Sequence, residues 1–384
     1  MKDARKRKLP NKGGKMRQLT IIVGTARGER LVQEHNLREH AVNVNTIRDM
    51  VATPELSIDG ERVRPINAHL QREIVKIVAQ ILTPRFAKGS TIFLLTDDSD
   101  INSLKPVIKL ARKHDFIVRI LNFSGDKIKN FGGIELISSE DILSDRGFDE
   151  ISDMRRTVVI GDVQSKASAL LKAIQLINPG DRVVFIGDLF DRGDNPVGVL
   201  VQVNLLLNAG QNEVVLIEGN HDSHLRELIN GTAPSHGWTK AGTKETLDKL
   251  VRGGVSRRTI KGIIDRMKPA FVLGHGEMKI LFSHGGVMEM PNALTSVHHL
   301  FTGAANASEQ VVGRSDYNVD TVSMLEIPGV IQIHGHRNGR TLEEAGDTRF
   351  SDTHLVLEGK VEKGGYLPVA IIENGRIEIR RIFP

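Results

Sequence analysis

Gly187-Asp188-Leu189-Phe190-Asp191-Arg192-Gly193 follows the apolar run Arg182-Val183-Val184-Phe185-Ile186. Such a run reads as a buried strand closed by a glycine. Two carboxylates and an arginine thus arrive at a strand's C-terminal tip, where open α/β sheets place their ligands. The pattern recurs on both sides. Thr157-Val158-Val159-Ile160 ends in Gly161-Asp162-Val163-Gln164, and Glu213-Val214-Val215-Leu216-Ile217 ends in Glu218-Gly219-Asn220-His221-Asp222. Lys279-Ile280-Leu281-Phe282-Ser283 leads to His284-Gly285-Gly286, and Val330-Ile331-Gln332-Ile333 leads to His334-Gly335-His336. Helices are expected between them, one with Leu170, Leu171, Ile174 and Ile177 on a single face and another after Pro196.

These strand ends supply Asp162, Asp188, Asn220, His284 and His336, with Gln164 just beyond Asp162. Cysteine is absent, which excludes disulfides and thiolate metal sites. A set of carboxylate, amide and imidazole donors suits Mn2+, Fe2+ or Zn2+ better than Ca2+ with its all-oxygen shell. One carboxylate shared by two half-sites can bridge a pair of ions, which such centres hold about 3.5–4 Å apart.

In order along the chain these motifs resemble the signature of the calcineurin-like metallophosphoesterases: GD-x-H, GD-x-x-DRG, GNH-[DE], H-[AG]-G and GH-[TR]. The resemblance implies an αββα sandwich holding two divalent cations, Mn2+ foremost, with Fe2+, Ni2+ or Zn2+ as alternatives. It makes Asp188 the bridging ligand, places Asp162 and Gln164 on one ion, and gives Asn220, His284 and His336 to the other. Arg192 becomes the phosphate clamp, consistent with guanidinium's bidentate match to phosphate. His221 becomes the general acid, oriented by Asp191. Gln164 departs from the family's usual histidine and offers a weaker, neutral donor, which bears on monoester against diester preference. His334 stands outside the pattern.

Two later features resemble the branch of bacterial polynucleotide kinase–phosphatases and diadenosine tetraphosphatases. Phe350-Ser351-Asp352-Thr353 with Gly364-Gly365-Tyr366-Leu367 resembles its iDtG…GG-x-L tail and adds Asp352 to the metal set. Gly242-Thr243-Lys244-Glu245-Thr246-Leu247 resembles its G-x-x-x-TL segment, inside a helical insertion expected at about 232–275. Asn374-Gly375, between Leu367–Glu373 and Arg376–Ile382, is a two-residue hairpin signal.

The first half reads as a second α/β unit. Leu19-Thr20-Ile21-Ile22-Val23-Gly24, Thr91-Ile92-Phe93-Leu94-Leu95 and Ile117-Val118-Arg119-Ile120-Leu121 are strands. Helical spacing at Ile66, Leu70, Ile74, Ile77, Val78 and Ile81, and a helix from Ile101 to His114, make the sheet parallel. Set against the phosphate loop G-x-x-x-x-G-K-[ST], Gly24 is followed by Gly28, Glu29, Arg30 and Leu31. The loop's shape is expected and its chemistry is missing, because leucine cannot ligate Mg2+. With Asn43-Val44-Asn45-Thr46-Ile47-Arg48 and Leu110-Ala111-Arg112-Lys113-His114-Asp115-Phe116, the order resembles the kinase domain of polynucleotide kinases. Asn45 stands where that family has its aspartate base, and Arg48 matches its arginine. The resemblance implies a kinase-derived domain without kinase activity. An unrelated Rossmann-like domain is the alternative.

The expected organisation is a flexible basic arm at 1–18, a degenerate P-loop-like domain at 19–123, a connection at 124–155, and the metallophosphoesterase domain at 156–384. The arm carries Lys2, Arg5, Lys6, Arg7, Lys8, Lys12, Lys15 and Arg17 against Asp3. It suits polyanion contact, or serves as a solubilising tail. Aromatic residues make up only 4% of the chain, so phosphate contacts rather than base stacking would dominate any nucleic-acid binding. A hydrophobic content of 40% over 384 residues supports two cores. The longest apolar runs fall short of the roughly 18–20 residues of a membrane span, and no signal-peptide pattern is seen, so a cytoplasmic protein without membrane contact is expected. Oligomeric state is not legible in the residues. The leading function is hydrolysis of phosphate mono- or diesters on nucleic-acid or nucleotide ends, the kinase-like domain binding or scaffolding. A dinucleoside-polyphosphate hydrolase or serine/threonine protein phosphatase is the enzymatic alternative. A non-catalytic nucleic-acid-binding or structural protein is the alternative of another class.

Overall fold

A computed structural model of the chain describes residues 17–35, 37–53, 55–56, 62–63, 68–128, 134–139, 148–231, 237–291, 295, 297–303, 326–336 and 349–384. Residues 1–16 of the basic arm lie outside the described residues. Arg17 and Gln18 are not part of a free arm: Gln18 opens the first strand, and Arg17 is tied to Glu218.

In chain order the first unit comprises β1 (Gln18–Val23), α1 (Thr25–Glu34), β2 (Ala41–Asn43) and α2 (Val44–Val51). A ribbon of β3 (Glu55–Leu56) and β4 (Arg62–Val63) follows, then α3 (Ala68–Lys88), β5 (Ile92–Thr96), α4 (Lys105–Lys113), β6 (Ile117–Asn122) and β7 (Glu135–Ile137). Five strands run parallel in the order β2-β5-β1-β6-β7. The mostly apolar β1 is buried along its length because helices cover both faces. Ile74, Val78 and Leu82 of α3 and Val107 of α4 fill one face, and Leu31 and Val32 of α1 fill the other. Strand order reverses at β1, which puts the sheet's crevice beside Gly24.

The second unit begins earlier than the sequence reading places it. Within the stretch read as a connection, β7 completes the first sheet and β8 (Asp149–Ser152) joins the second unit by pairing with a later strand. The elements after β8 are β9 (Thr157–Ile160), α5 (Ala167–Ile174), β10 (Arg182–Phe185), α6 (Pro196–Ala209), β11 (Glu213–Leu216) and α7 (Asn220–Ile229). Next come α8 (Gly237–Arg252), α9 (Arg257–Ile264), β12 (Ala270–His275), β13 (Met278–Ser283) and α10 (Val297–Thr302). The chain closes with β14 (Ile331–His334), β15 (Arg349–Ser351), β16 (His354–Val356), β17 (Leu367–Glu373) and β18 (Arg376–Ile382).

One sheet has the order β11-β10-β9-β17-β18 and the other β15-β16-β14-β13-β12-β8. Alternation sends Val159, Val184 and Ala370 of the first sheet toward Phe271, Phe282 and Ile333 of the second. On the first sheet's outer face Val158, Ile160, Val183 and Phe185 meet Leu170, Val199, Leu225 and Ile260 from the helices. Leu300 and Phe301 of α10 cover Val272 and Leu281 on the second sheet's outer face. The αββα sandwich is therefore present. Each such side chain contributes roughly 1.5–3 kcal/mol on full burial. Because β9, β10 and β11 run parallel in one sheet and β13, β14 and β16 in the other, two sets of C-terminal tips reach one rim.

Two local expectations change. Leu171 is 54% exposed, and α5 turns Ala169, Leu170 and Ala173 inward instead. Ala169, Leu170 and Ala173 set the centre of the buried stripe, and Leu171, about 100° round the helix from Leu170, falls at its solvent edge. The helical insertion ends with α9, and Ala270–His275 is a strand paired antiparallel with β13 through Gly276, which has φ +63°. Residues 232–236 lie outside the described residues. At Asn374-Gly375 the hairpin forms as read, with φ +50° and +73°. Among the described residues no helix is long and apolar enough to cross a membrane.

Candidate active site

The strand-tip residues converge at the rim. Asp188, 1% exposed, follows β10; its Oδ1 accepts the His221 backbone N–H at 3.0 Å and lies 3.3 Å from His284 Nε2. Its Oδ2 accepts from Gln164 Nε2 at 3.0 Å. Asp162 Oδ2 accepts the His336 backbone N–H at 3.0 Å. Asn220 Oδ1 lies 3.1 Å from His284 Nε2 and 2.9 Å from His336 Nδ1. Ligand-type atoms of Asp188, His284 and His336 fall within 4.8 Å of one another.

Glycines permit this crowding. Gly187 has φ +106°, and a Cβ there would stand 2.6 Å from His284 Nδ1. At Gly335 a Cβ would stand 1.9 Å from Asp162 Oδ1. Asp222, buried at the start of α7, accepts from Gly219 N and Leu189 N, locking the Asn220 turn onto the Asp188 turn.

His221 is 4% exposed, and its Nδ1 donates to Asp191 Oδ2 at 2.8 Å. The same oxygen accepts from Thr243 Oγ1 at 2.8 Å. His221 Nε2 has no hydrogen-bond partner and points into the site, 3.9 Å from Asp188 Oδ2. Arg192 is the most open member, with a side chain 38% exposed and Nη1 3.7 Å from Glu362 Oε1. The carboxylates of Asp188, Glu358, Glu362 and Asp162 hold its guanidinium protonated against the cost of burial.

Asp352 does not join the site. It is exposed in the turn between β15 and β16, at the end of β16 opposite the rim. Glu358, 1% exposed just past the tip of β16, stands there instead. The Leu357 carbonyl accepts from Asp162 N and Leu357 N donates to the His334 carbonyl, which wedges Glu358 between the two ligand turns. Burial first, then the neighbouring charges of Glu358 and Asp188, push the Asp162 carboxyl well above the usual carboxylate range. Glu358 was legible: Leu355-Val356-Leu357 ends in Glu358-Gly359, an apolar run closed by an acid and a glycine as at Glu218-Gly219. Thr243 was legible only as a segment, since nothing in its spacing points to Asp191.

In the first unit the residues matched to a phosphate loop meet differently. Gly24 turns directly into α1 at Thr25, so the eight residues from Gly24 to Leu31 form no loop, and the expected shape is absent. Gly28 is a packing position whose Cβ would meet Ile22 at 2.9 Å, Arg30 is exposed, and Leu31 is buried against the sheet. The start of α1 is already occupied by a carboxylate: Asp97 Oδ1 accepts Thr25 N at 2.7 Å. Asn45 Nδ2 donates to Asp97 Oδ2 and, at 3.0 Å, to Thr25 Oγ1. Burial works to raise the Asp97 pKa, but these bonds and the charge of Arg48 hold it below the ordinary value.

A family profile described as calcineurin-like phosphoesterase matches residues 155–357, more than half of the chain. The chain belongs to that family. Among curated relatives of this phosphoesterase, a symmetrical bis(5'-nucleosyl)-tetraphosphatase from Ralstonia nicotianae is 31% identical over 129 residues, 34% of this chain and 41% of the relative. One of the same name from Coxiella burnetii is 36% identical over 101 residues, 25% of this chain and 33% of the relative. The chain thus spans about two fifths or less of the length of these relatives. A solved structure of a cold-active protein tyrosine phosphatase aligns at 15% identity with a TM-score of 0.41, covering 64% of this chain and 83% of that one.

Calcineurin-like phosphoesterases use a binuclear divalent metal centre, and the donor geometry of this one fits cations. His284 Nδ1 lies 3.0 Å from the Ile186 carbonyl and must donate to it. In the neutral ring, the Nε2 lone pair then faces the oxygens of Asp188 and Asn220, an arrangement that calls for positive charge between them. Asp162 Oδ1 and Gln164 Oε1 are buried with no hydrogen-bond partner. Buried polar atoms are normally paired, so unpartnered acceptors beside carboxylates are atoms that a cation would satisfy.

Proposed function

We propose that this site hydrolyses phosphate esters or anhydrides of nucleotides, nucleic-acid ends included, with two divalent cations and no protein nucleophile. The observation that supports it most is the convergence of Asp162, Gln164, Asp188, Asn220, His284 and His336 around unpartnered buried donor atoms. Asp162, Gln164 and Asp188 would hold one ion, and Asp188, Asn220, His284 and His336 the other. The mixed set of two carboxylates, two amides and two imidazoles suits Mn2+, with Fe2+, Ni2+ or Zn2+ as alternatives. When bound, such a pair supplies a Lewis acid and lowers the pKa of water.

The chain's own residues do the rest. Arg192, open to solvent on one side, engages phosphoryl oxygens as a bidentate clamp. His221, with both ring nitrogens protonated, presents Nε2–H to the departing oxygen and gives up that proton. Asp191 fixes the ring through Nδ1 and stabilises the imidazolium, and Thr243 fixes Asp191. The names of the curated relatives favour a dinucleoside polyphosphate as one substrate form. We place no phosphoryl transfer in the first unit, because Asp97 fills the start of α1 and Asn45 is no base; a binding or scaffolding role is left to it.

Product analysis with diadenosine tetraphosphate, a 3'-phosphorylated oligonucleotide and a phosphopeptide, each with Mn2+, separates the substrate forms. With p-nitrophenyl phosphate and its bis ester, His221→Ala should lower kcat roughly 10²–10⁴-fold, and Asp188→Asn should also abolish binding of at least one ion. Turnover surviving both substitutions would overturn the mechanism.

A further inference from the structure

The first unit touches the metal-ligand turns of the second through a small set of charged and apolar contacts. Glu218, 1% exposed and two residues before Asn220, sits at the centre. Arg226, on the same helix as Asn220, grips it with Nε to Oε1 at 2.8 Å and Nη2 to Oε2 at 3.1 Å. Arg17, at the entry to β1 of the first unit, grips it from the other side with Nη2 to Oε1 at 3.3 Å and Nη1 to Oε2 at 3.5 Å. Asp115, which follows α4 in the first unit, accepts from Arg226 Nη1 at 3.2 Å and from Asn230 Nδ2 at 3.1 Å. Lys113 donates to the Gly231 carbonyl at 3.1 Å. Both ends of α7 are therefore held by residues of the first unit.

The second ligand turn is reached as well. The Arg17 guanidinium lies over the Phe301 ring of α10, 5.7 Å from its centroid. On the same helix the Leu300 carbonyl accepts from Gly285 N at 2.6 Å, next to His284. Gly89, just past α3, lies so close to Val297 of α10 that a Cβ would stand 1.8 Å from its Cγ2. One arginine thus joins the Glu218–Asn220 turn to the helix that braces Gly285 behind His284.

We infer that Arg17 and Asp115 are positioning residues for the metal centre, and that the first unit acts as a brace holding Asn220 and His284 at the spacing one ion requires. The inference rests on the reading of the site given above. Both residues act through Glu218, Arg226 and α10, and neither touches a candidate ligand. Partners that orient metal ligands are worth about 10–100-fold in metal affinity when removed. A contact that served only to join the units would change their melting and leave ion affinity alone.

The test uses the full chain. Mn2+ binding to Arg17→Met, Arg17→Lys and Asp115→Asn is measured by isothermal titration calorimetry after EDTA treatment and desalting. Hydrolysis of p-nitrophenyl phosphate is followed against Mn2+ concentration, and melting of the metal-free proteins is recorded alongside. Arg17→Met should weaken one of two Mn2+ sites about 10-fold or more, with activity recovered at high Mn2+, and Arg17→Lys should recover most of the affinity. Asp115→Asn should show a smaller loss of the same kind. Wild-type Mn2+ affinity in folded Arg17→Met and Asp115→Asn would overturn the brace, as would losses equal in Met and Lys variants. Should the wild-type chain itself bind no Mn2+, the reading of the site falls first, and the brace falls with it.

Discussion

Acidification should destabilise the metal-free protein through His354, by an amount the structure lets one work out. His354 lies on β16, paired in register with Gln332 of β14, and its Nε2 is 2.7 Å from His334 Nε2. Both residues are 0% exposed. Burial pushes the His354 imidazole down from 6.5 to about 4. Burial also depresses His334, with the neighbouring His354 second. Above about pH 6.5 both folded and unfolded chains hold His354 neutral and the full stability is present. As pH falls below that, the unfolded chain takes up a proton that the folded chain refuses until about pH 4. The loss approaches about 1.4 kcal/mol per pH unit and totals roughly 3 kcal/mol over the window. Against a typical native stability of about 5–15 kcal/mol this is a large fraction. Thermal unfolding of EDTA-treated protein at pH 7.5, 6.5, 5.5 and 4.5 reads it, with His354→Gln as the comparison. The glutamine keeps an amide for His334 and does not titrate. The wild-type midpoint should fall more steeply than the variant's, by roughly 6–12 °C across the window if a domain of this size loses about 2–4 °C per kcal/mol. Parallel curves for the two proteins would refute the reasoning.

Thr243→Val removes one hydrogen bond to Asp191 and should lower kcat roughly 2–10-fold, as about 0.5–1.5 kcal/mol of lost orientation implies, with Mn2+ affinity unchanged by calorimetry. Asp352→Ala should leave Mn2+ stoichiometry and affinity at wild-type values, whereas Glu358→Gln should alter the affinity of the ion at Asp162; the opposite pattern by the same titration would restore Asp352 to the site. Phe282→Ala, between the two sheets and stacked on Phe271 at 5.8 Å, should cost about 3–5 kcal/mol in denaturant unfolding. Saturating Mn2+ should raise the melting temperature of the wild-type protein, and EDTA should reverse the rise, because an ion that binds only the folded chain stabilises it.

What the sequence revealed of this site depended on locality. An apolar run, a glycine and a donor residue are contiguous, so the strand-tip placement of Asp162, Asp188, Asn220, His284 and His336 could be read off their own strands. Asp352 misled because a short motif was matched by residue type, while the backbone logic pointed four residues past His354, to the acid after Leu357. Thr243 and Arg17 were beyond reach for another reason. Thr243 meets Asp191 across 52 residues and Arg17 meets Glu218 across 201, and no periodicity encodes a contact between separately folded elements. The exposure of Leu171 marks the same boundary on a smaller scale: composition names the apolar residues of a helix, while packing decides which stripe is buried.

Two glycine-closed strand tips in this chain, Gly24 and Gly187, show how charge decides what a shared geometry can bind. Both lie at the C-terminal end of a central parallel strand, and both have φ above +100°. At Gly24 the helix that follows offers N–H donors, and Asp97 answers them from within the chain, with Asn45 and Arg48 supporting its charge. An incoming phosphate would have to displace a carboxylate already hydrogen-bonded in place. At Gly187 the balance is reversed: Asp162, Asp188, Glu358 and the lone pairs of His284 and Asn220 face one another without enough protons to satisfy them. The first tip is complete as folded. The second leaves buried acceptors that cations would satisfy, which is why the proposed chemistry is placed at Gly187 and its neighbours.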